Sequence, residues 1–318
     1  MFLFIVFLRA LAACLITNAH YTGIYPVEAL ANGGLLGDVL FFAVSGFCLC
    51  NVKEMFPKWY GKRLLRCYLP VVLATAVYML LGVYKLETMS WVSWYLYPTY
   101  YHFVASIVLL YIPFYGIMAV RQLKERIPLV MLLIAAMYAI VYIFFYDRSY
   151  YHIDNVREPM IRFLFFESML LGSHFRIRMP ELADKPYGAA IAGMTVLFVL
   201  YFASKLMFAR RIVNPELQAV NQVLLFLLLM CIFRVFMGLE KRLVALPDVI
   251  CKCAKFLADR TLEIYVVQYV LIDWIRPLLG FPANWIALTV SIIAAASVLH
   301  WICNYLNMWF FPKKTGEI

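Results

Sequence analysis

The chain has 318 residues, of which 65% are hydrophobic and only 14% charged, with a mean hydropathy of +0.83. A soluble domain is about 45–50% apolar and about 25% charged, so lipid must be the solvent for much of this surface. The net charge of +10 does not mark a nucleic-acid binder, because the Lys and Arg stand between apolar runs rather than along one patch.

Apolar runs long enough to span a bilayer, about 17–25 residues, occur approximately at 2–20, 35–52, 68–84, 98–120, 127–146, 162–176, 187–206, 218–238, 261–277 and 284–311. The first has no basic n-region and no cleavage signal before a soluble domain, so it reads as a retained helix rather than a signal peptide. No segment is repetitive or low in complexity. The pattern predicts an all-α fold: a polytopic transmembrane helical bundle of about ten spans, with residues 1–318 forming a single domain. With the N-terminus in the cytosol, the inner loops carry 18 Lys and Arg, including Lys313 and Lys314, and the outer loops carry 8. That bias predicts both termini in the cytoplasm.

Arg9 falls inside the first run. A charge at mid-bilayer costs about 2.5–3.5 kcal/mol even on insertion scales. It therefore faces a protein interior or watery cavity, or snorkels to the nearer headgroups. His20 lies eleven residues on, close to three helical turns, so both side chains share one face about 16 Å apart. This spacing predicts one continuous cavity from Arg9 to His20, with His20 suited to proton transfer. The alternative for His20 is a polar cap at the outer end of the helix. In the second run, GGLLGDVLFFAVSGFCL, glycines permit close helix approach, and Ser45 can hydrogen-bond across helices. Asp38 matches His20 in depth and either orients the imidazole or sits exposed at the interface. The third run opens with KWYGKRLLRCYLP, where Arg63 and Arg66 share a face beside Lys62. They either grip nucleotide phosphates or serve as a topology signal and a binder of anionic lipid.

Farther along, His102 reads as a packing residue, His174 and His300 offer no metal-like partner spacing, and Glu167 reads as buried and paired. The eight cysteines include two C-x-C pairs, Cys48/Cys50 and Cys251/Cys253, which lack the C-x-x-C spacing of zinc or redox sites. No metal site is expected, and neither a Walker loop nor an HExxH or G-x-S-x-G motif is present.

Three ordered motifs resemble the acyltransferase-3 family of membrane O-acyltransferases: LRALAACLITNAHY with Arg9 and His20, GDVLFFAVSGF, and KRLLRCYLP. The later HFVASIVLLYIPF and LEIYVVQY also look like family segments. Two positions depart from it. The family Asp stands one place earlier, as Asp38, with Val39 in its usual slot, and the late His is replaced by Gln268. The resemblance implies no permanently bound cofactor, with acetyl-CoA or another acyl-CoA as co-substrate. It implies a hydroxyl acceptor on a surface polysaccharide, lipid-linked sugar or other exported molecule, and residence in a bacterial-type inner membrane among membrane lipids. In that reading Lys62, Arg63, Arg66 and Ser45 hold the donor. Arg9, His20 and Asp38 form the catalytic set, with His20 as general base or acyl carrier. The rival class is a transporter or flippase of a lipid-linked sugar. Buried Arg and His also line transport paths, but no inverted repeat is visible.

Overall fold

The computed structural model describes residues 2–85, 87, 90–96 and 101–310; the start of the run predicted at 98–120, the end of the run predicted at 284–311, and Lys313 and Lys314 lie outside them. The described elements are helices α1 Leu3–Ala19, α2 Gly34–Leu49, α3 Phe56–Leu80, α4 His102–Ala119, α5 Arg121–Glu125, α6 Ile127–Phe144, α7 Ile161–Leu182, α8 Gly188–Ala209, α9 Ala219–Gly238, α10 Glu240–Val244, α11 Asp248–Asp259, α12 Thr261–Ile275 and α13 Ala283–Phe310, with short 3-10 or π turns between some of them. No strand occurs among the described residues. Backbone polar groups in lipid must pair within their own segment, which is why the apolar runs become helices.

Each of the ten runs coincides with a helix. Seven of these helices, α2 (counted with the turn before it, Glu28–Leu49), α3, α4, α6, α8, α9 and α13, are long and apolar enough to cross a membrane. The other three fall short for different reasons. α1 has 17 residues, α12 has 15, and α7 carries Arg162, Glu167, Arg176, Arg178 and Glu181. Length and apolar composition alone support seven crossings among the described residues, and the predicted ten are not confirmed by them. α5, α10 and α11 are short helices within segments predicted to be inner loops. In α11, Ala254 and Ala258 pack on Val6 and Ala10 of α1.

The centre of the bundle is α1, α2, α7 and α9, where Phe4, Phe42, Phe165 and Phe233 are fully buried. α6 and α8 lie outside it, turning Leu132, Leu133, Val196 and Val199 outward as a lipid-facing surface must. α1 and α2 run antiparallel, with Phe4 against Phe47 at one end and Gly34 against Ala19 at the other. The first end also holds the starts of α3 and α12 and the close of α13, and is called the basic end below. Gly33, at φ +94°, turns the chain into α2.

α2 and α7 touch backbone to backbone. A methyl on Gly46 would overlap the Met169 carbonyl, and one on Gly172 would overlap the Ala43 carbonyl. Ser173 Oγ donates to the Gly46 carbonyl at 3.0 Å across the same contact. Two charges inside helices differ from each other. Arg234 donates to the Lys185 and Pro186 carbonyls in the loop between α7 and α8. Glu167, expected to be paired, instead has its buried Oε1 without a hydrogen-bond partner among the described residues. Gly172→Ala is expected to destabilise the protein by about 3 kcal/mol, the upper part of the usual overpacking range, whereas Gly116→Ala, whose methyl meets nothing within 4 Å, should be silent. Thermal unfolding of the three proteins in one detergent checks this, and equal midpoints for Gly172→Ala and the parent would refute the close contact.

Candidate active site

A cavity of ≈ 1170 Å³ opens at the basic end, walled by α2, α3, α4, α12 and α13, with Arg9 of α1 and Asp259 of α11 also in its lining. Its lining on α4 extends from Tyr111 back to Phe103, about 12 Å of helix. It is larger than most small-molecule sites, which hold about 300–1,000 Å³, and suits an elongated ligand.

The structure brings five of the seven predicted residues to this cavity: Arg9, Ser45, Lys62, Arg63 and Arg66. Their states differ. Lys62 is ion-paired with Glu54, which also lies 3.8 Å from Lys58. The Lys62 hydrogen bond holds the exposed Glu54 carboxyl below its ordinary pKa. Arg63 lies with its guanidinium 4.6 Å from the centre of the Trp59 ring, and Nη1 donates to the Trp59 carbonyl at 3.2 Å. Its Nε is buried without a hydrogen-bond partner among the described residues. Among the described residues, no carboxylate comes within ion-pair distance of Arg9, Arg63 or Arg66. Asp259 and Glu263 act on Arg9 only at longer range, and Arg66 opposes them. The site therefore holds guanidinium groups with unspent hydrogen-bonding capacity, a setting for an anion.

His20 and Asp38 are elsewhere. His20 caps the far end of α1 and does not line the cavity. Its Nδ1 is 2.6 Å from the Ile16 carbonyl, so Nδ1 carries the proton and Nε2 keeps its lone pair. Gln268 Nε2 lies 3.3 Å from the same Nδ1, and the Tyr269 ring stands edge-on at 4.9 Å. Because the ring proton already points at Ile16, the Gln268 amide fits better turned over, with its oxygen toward Nδ1. The expected continuous cavity is interrupted. Phe103, at the end of the cavity lining, packs 5.5 Å from the Tyr265 ring, which stands 6.4 Å from His20. The fully buried Tyr101 ring backs this partition.

Asp38, expected beside His20, is buried in α2 but makes no hydrogen bond or ion pair with the imidazole. One residue is a turn of about 100° on a helix, and Asp38 stands one residue from the slot it was compared with. Gln268 and the Ile16 carbonyl occupy the orienting role instead.

The cavity also holds a cluster that the sequence reading passed over. Glu263 Oε1 is 2.8 Å from His300 Nδ1, and Asn304 Nδ2 is 2.9 Å from His300 Nε2. Asp259 and Asn307 share that wall. The signal was present in LHWICNYLN, where positions 300, 304 and 307 fall on one helical face. What hid it was the partner, Glu263, 37 residues away on another helix.

A distant carboxylate fixes the start of α1, which carries both Arg9 and His20. Glu240 accepts from the backbone N–H of Leu3 at 2.8 Å and of Phe4 at 2.6 Å. These are orphan donors of the first turn, and Phe2 supplies no side-chain cap.

A family model described as an acyltransferase domain matches residues 2–305, nearly the whole chain. No curated protein and no solved structure matches it. Glu240→Ala is expected to cost about 1–2 kcal/mol and to speed hydrogen exchange at the amides of Leu3 and Phe4. Glu240→Gln, with one acceptor oxygen instead of two, should fall between. Exchange rates unchanged in Glu240→Ala would remove this carboxylate from the account of how α1 is held.

Proposed function

The chain belongs to the acyltransferase-3 family, and from that premise we propose that it transfers an acyl group, acetyl being the simplest, from cytosolic acyl-CoA to a hydroxyl of an exported acceptor. The observation that carries this reading is the cavity at the basic end. It has three arginines without a carboxylate partner at ion-pair distance and an apolar far part formed by Phe41, Val44, Phe103, Val104 and Ile107. An acyl-CoA is matched to it in charge and in length. Its phosphates meet Arg63 and Arg66, and its uncharged arm runs toward Phe103. Lys62, already bound to Glu54, contributes field rather than a free donor. Arg9 lies between the anionic head and the arm and steadies a phosphate or the thioester oxygen.

His20 is the base in this reading, because its Nε2 lone pair is left free by the Ile16 carbonyl. The acceptor O–H gives its proton to Nε2, and the oxygen attacks the thioester carbonyl. The C–S bond breaks, and the departing thiolate takes the proton back from the imidazolium. The thioester reaches His20 only when Tyr265 swings out of the partition between them. The basic end faces the cytosol, as the Lys and Arg bias requires, with ten crossings returning both termini to that side of a bacterial-type inner membrane. The acceptor, a carbohydrate or a lipid-linked sugar, then approaches His20 from the other face.

Two variants test the reading with purified protein in lipid and acetyl-labelled acetyl-CoA. His20→Ala should lose label transfer by at least about a hundredfold while binding CoA as the parent does. Transfer at the parental rate by folded His20→Ala would overturn the role of the base. Arg66→Ala should weaken CoA about tenfold to a hundredfold, from loss of a charge-assisted contact of about 1.5–3 kcal/mol. Arg66→Lys should recover part of it, because it keeps the charge and loses the fork. Equal CoA affinity in calorimetric titrations of Arg66→Ala and the parent would leave these arginines as topology signals.

A further inference from the structure

The two walls of the cavity are chemically unlike. The α3 wall carries Arg63 and Arg66, whereas the facing wall, from the end of α11 through α12 to α13, carries Asp259, Glu263, His300, Asn304 and Asn307. Phosphates placed against the second wall would meet two carboxylates, so they belong on α3. What the second wall can hold is a neutral group with hydrogen-bond donors.

The Glu263–His300–Asn304 chain decides which end of one carboxamide is free. Glu263 is buried, and as a carboxylate it accepts from His300 Nδ1 at 2.8 Å. In that tautomer Nε2 is an acceptor and takes Asn304 Nδ2–H at 2.9 Å. One Asn304 N–H is thereby used, which fixes the turn of the amide and leaves Oδ1 as the acceptor beside the cavity. Asn307 adds a second carboxamide one turn closer to the end of α13. Both asparagines fall in the last two turns of α13, and Lys58 to Arg63 fall in the first two turns of α3, at the same end of the bundle. That is the end for the nucleotide head of a donor whose phosphates sit on Arg63 and Arg66, not for its arm.

We propose that Asn304, oriented by Glu263 through His300, and Asn307 form the subsite for the adenine base of the donor nucleotide. The inference rests on the reading of the cavity as a nucleotide-donor site. Adenine offers an exocyclic N6 amino donor beside the N7 acceptor, the pattern a carboxamide pairs with. Asn304 Oδ1 receives N6–H, and Asn307 completes the edge. Guanine presents O6 at the same place, acceptor against acceptor, and is rejected. Glu263 and His300 are positioning residues here, acting through Asn304.

Calorimetric titration of the full-length protein in lipid nanodiscs tests this with adenosine 3′,5′-bisphosphate and guanosine 3′,5′-bisphosphate, alongside CoA. The parent is expected to prefer the adenosine compound by roughly tenfold or more. Asn304→Leu should abolish most of that preference, and His300→Phe should reduce it, because Asn304 then loses its fixed orientation. Arg66→Ala should weaken both bisphosphates alike and leave their ratio unchanged. A parent that binds the two equally, or an Asn304→Leu protein that keeps the preference, overturns the base subsite while CoA binding leaves the donor reading standing. A parent that binds neither CoA nor either bisphosphate overturns both. Asn304 is exposed at the surface of α13, so its replacement should not impair folding, and an unchanged melting temperature would establish that.

Discussion

The arrangement depends on one constraint: the guanidinium groups of Arg9, Arg63 and Arg66 are held within an apolar bundle with no carboxylate among the described residues close enough to pair with them. Placing a charge in the bilayer costs about 2.5–3.5 kcal/mol on the mildest scale, and Arg9 and Arg66 also repel each other. The fold meets this cost with a water-accessible cavity and with acidic residues set back from contact on α11 and α12. A carboxylate at ion-pair distance would relieve the strain further but would consume the donors. Keeping Asp259 and Glu263 at longer range leaves the arginine forks open. Glu263 is kept from them by His300, to which it is hydrogen-bonded. The same pairing that satisfies a buried acid thus keeps the anion site free.

The second feature is separation. Arg9 and His20 ride on one helix, yet a layer of aromatic rings stands between the cavity and the imidazole. For the function proposed, this layer would keep water and the acyl donor from the base until Tyr265 moves. The stiff parts and the moving part are distinguishable in the packing. α2 and α7 are locked at Gly46 and Gly172, and α1 is pinned at its start by Glu240. Those contacts hold the reactive groups on rigid helices and leave rotation about a side chain as the smallest motion that joins them.

Much of the fold was legible because lipid imposes a simple rule: apolar runs must become helices. All ten runs did, and the basic loops turned out to contain three further short helices. The count of crossings was less legible. α1, α7 and α12 bury much of their surface against their neighbours, so they need not be long and apolar in the way a lipid-facing helix must be. The arginines of the site were readable from a mid-run charge and an i, i+3 pair. The placement of Asp38 was not, since a one-residue offset turns a helical side chain away from a partner on another helix. Glu263 and His300 were invisible in local pattern because their pairing joins two helices 37 positions apart. Gln268 was noticed only as a departure, and its place beside His20 came from the packing of α12 on α1.

The central claim is that the arginine-lined cavity receives the phosphorylated head of an acyl-CoA. The most direct test is a structure of the protein in lipid nanodiscs determined with CoA present. The account predicts ligand density between α3 and α13, with the diphosphate against Arg63 and Arg66 and the thiol end directed toward Phe103 and Tyr265. Density for CoA at any other surface, with the cavity holding solvent alone, would contradict it.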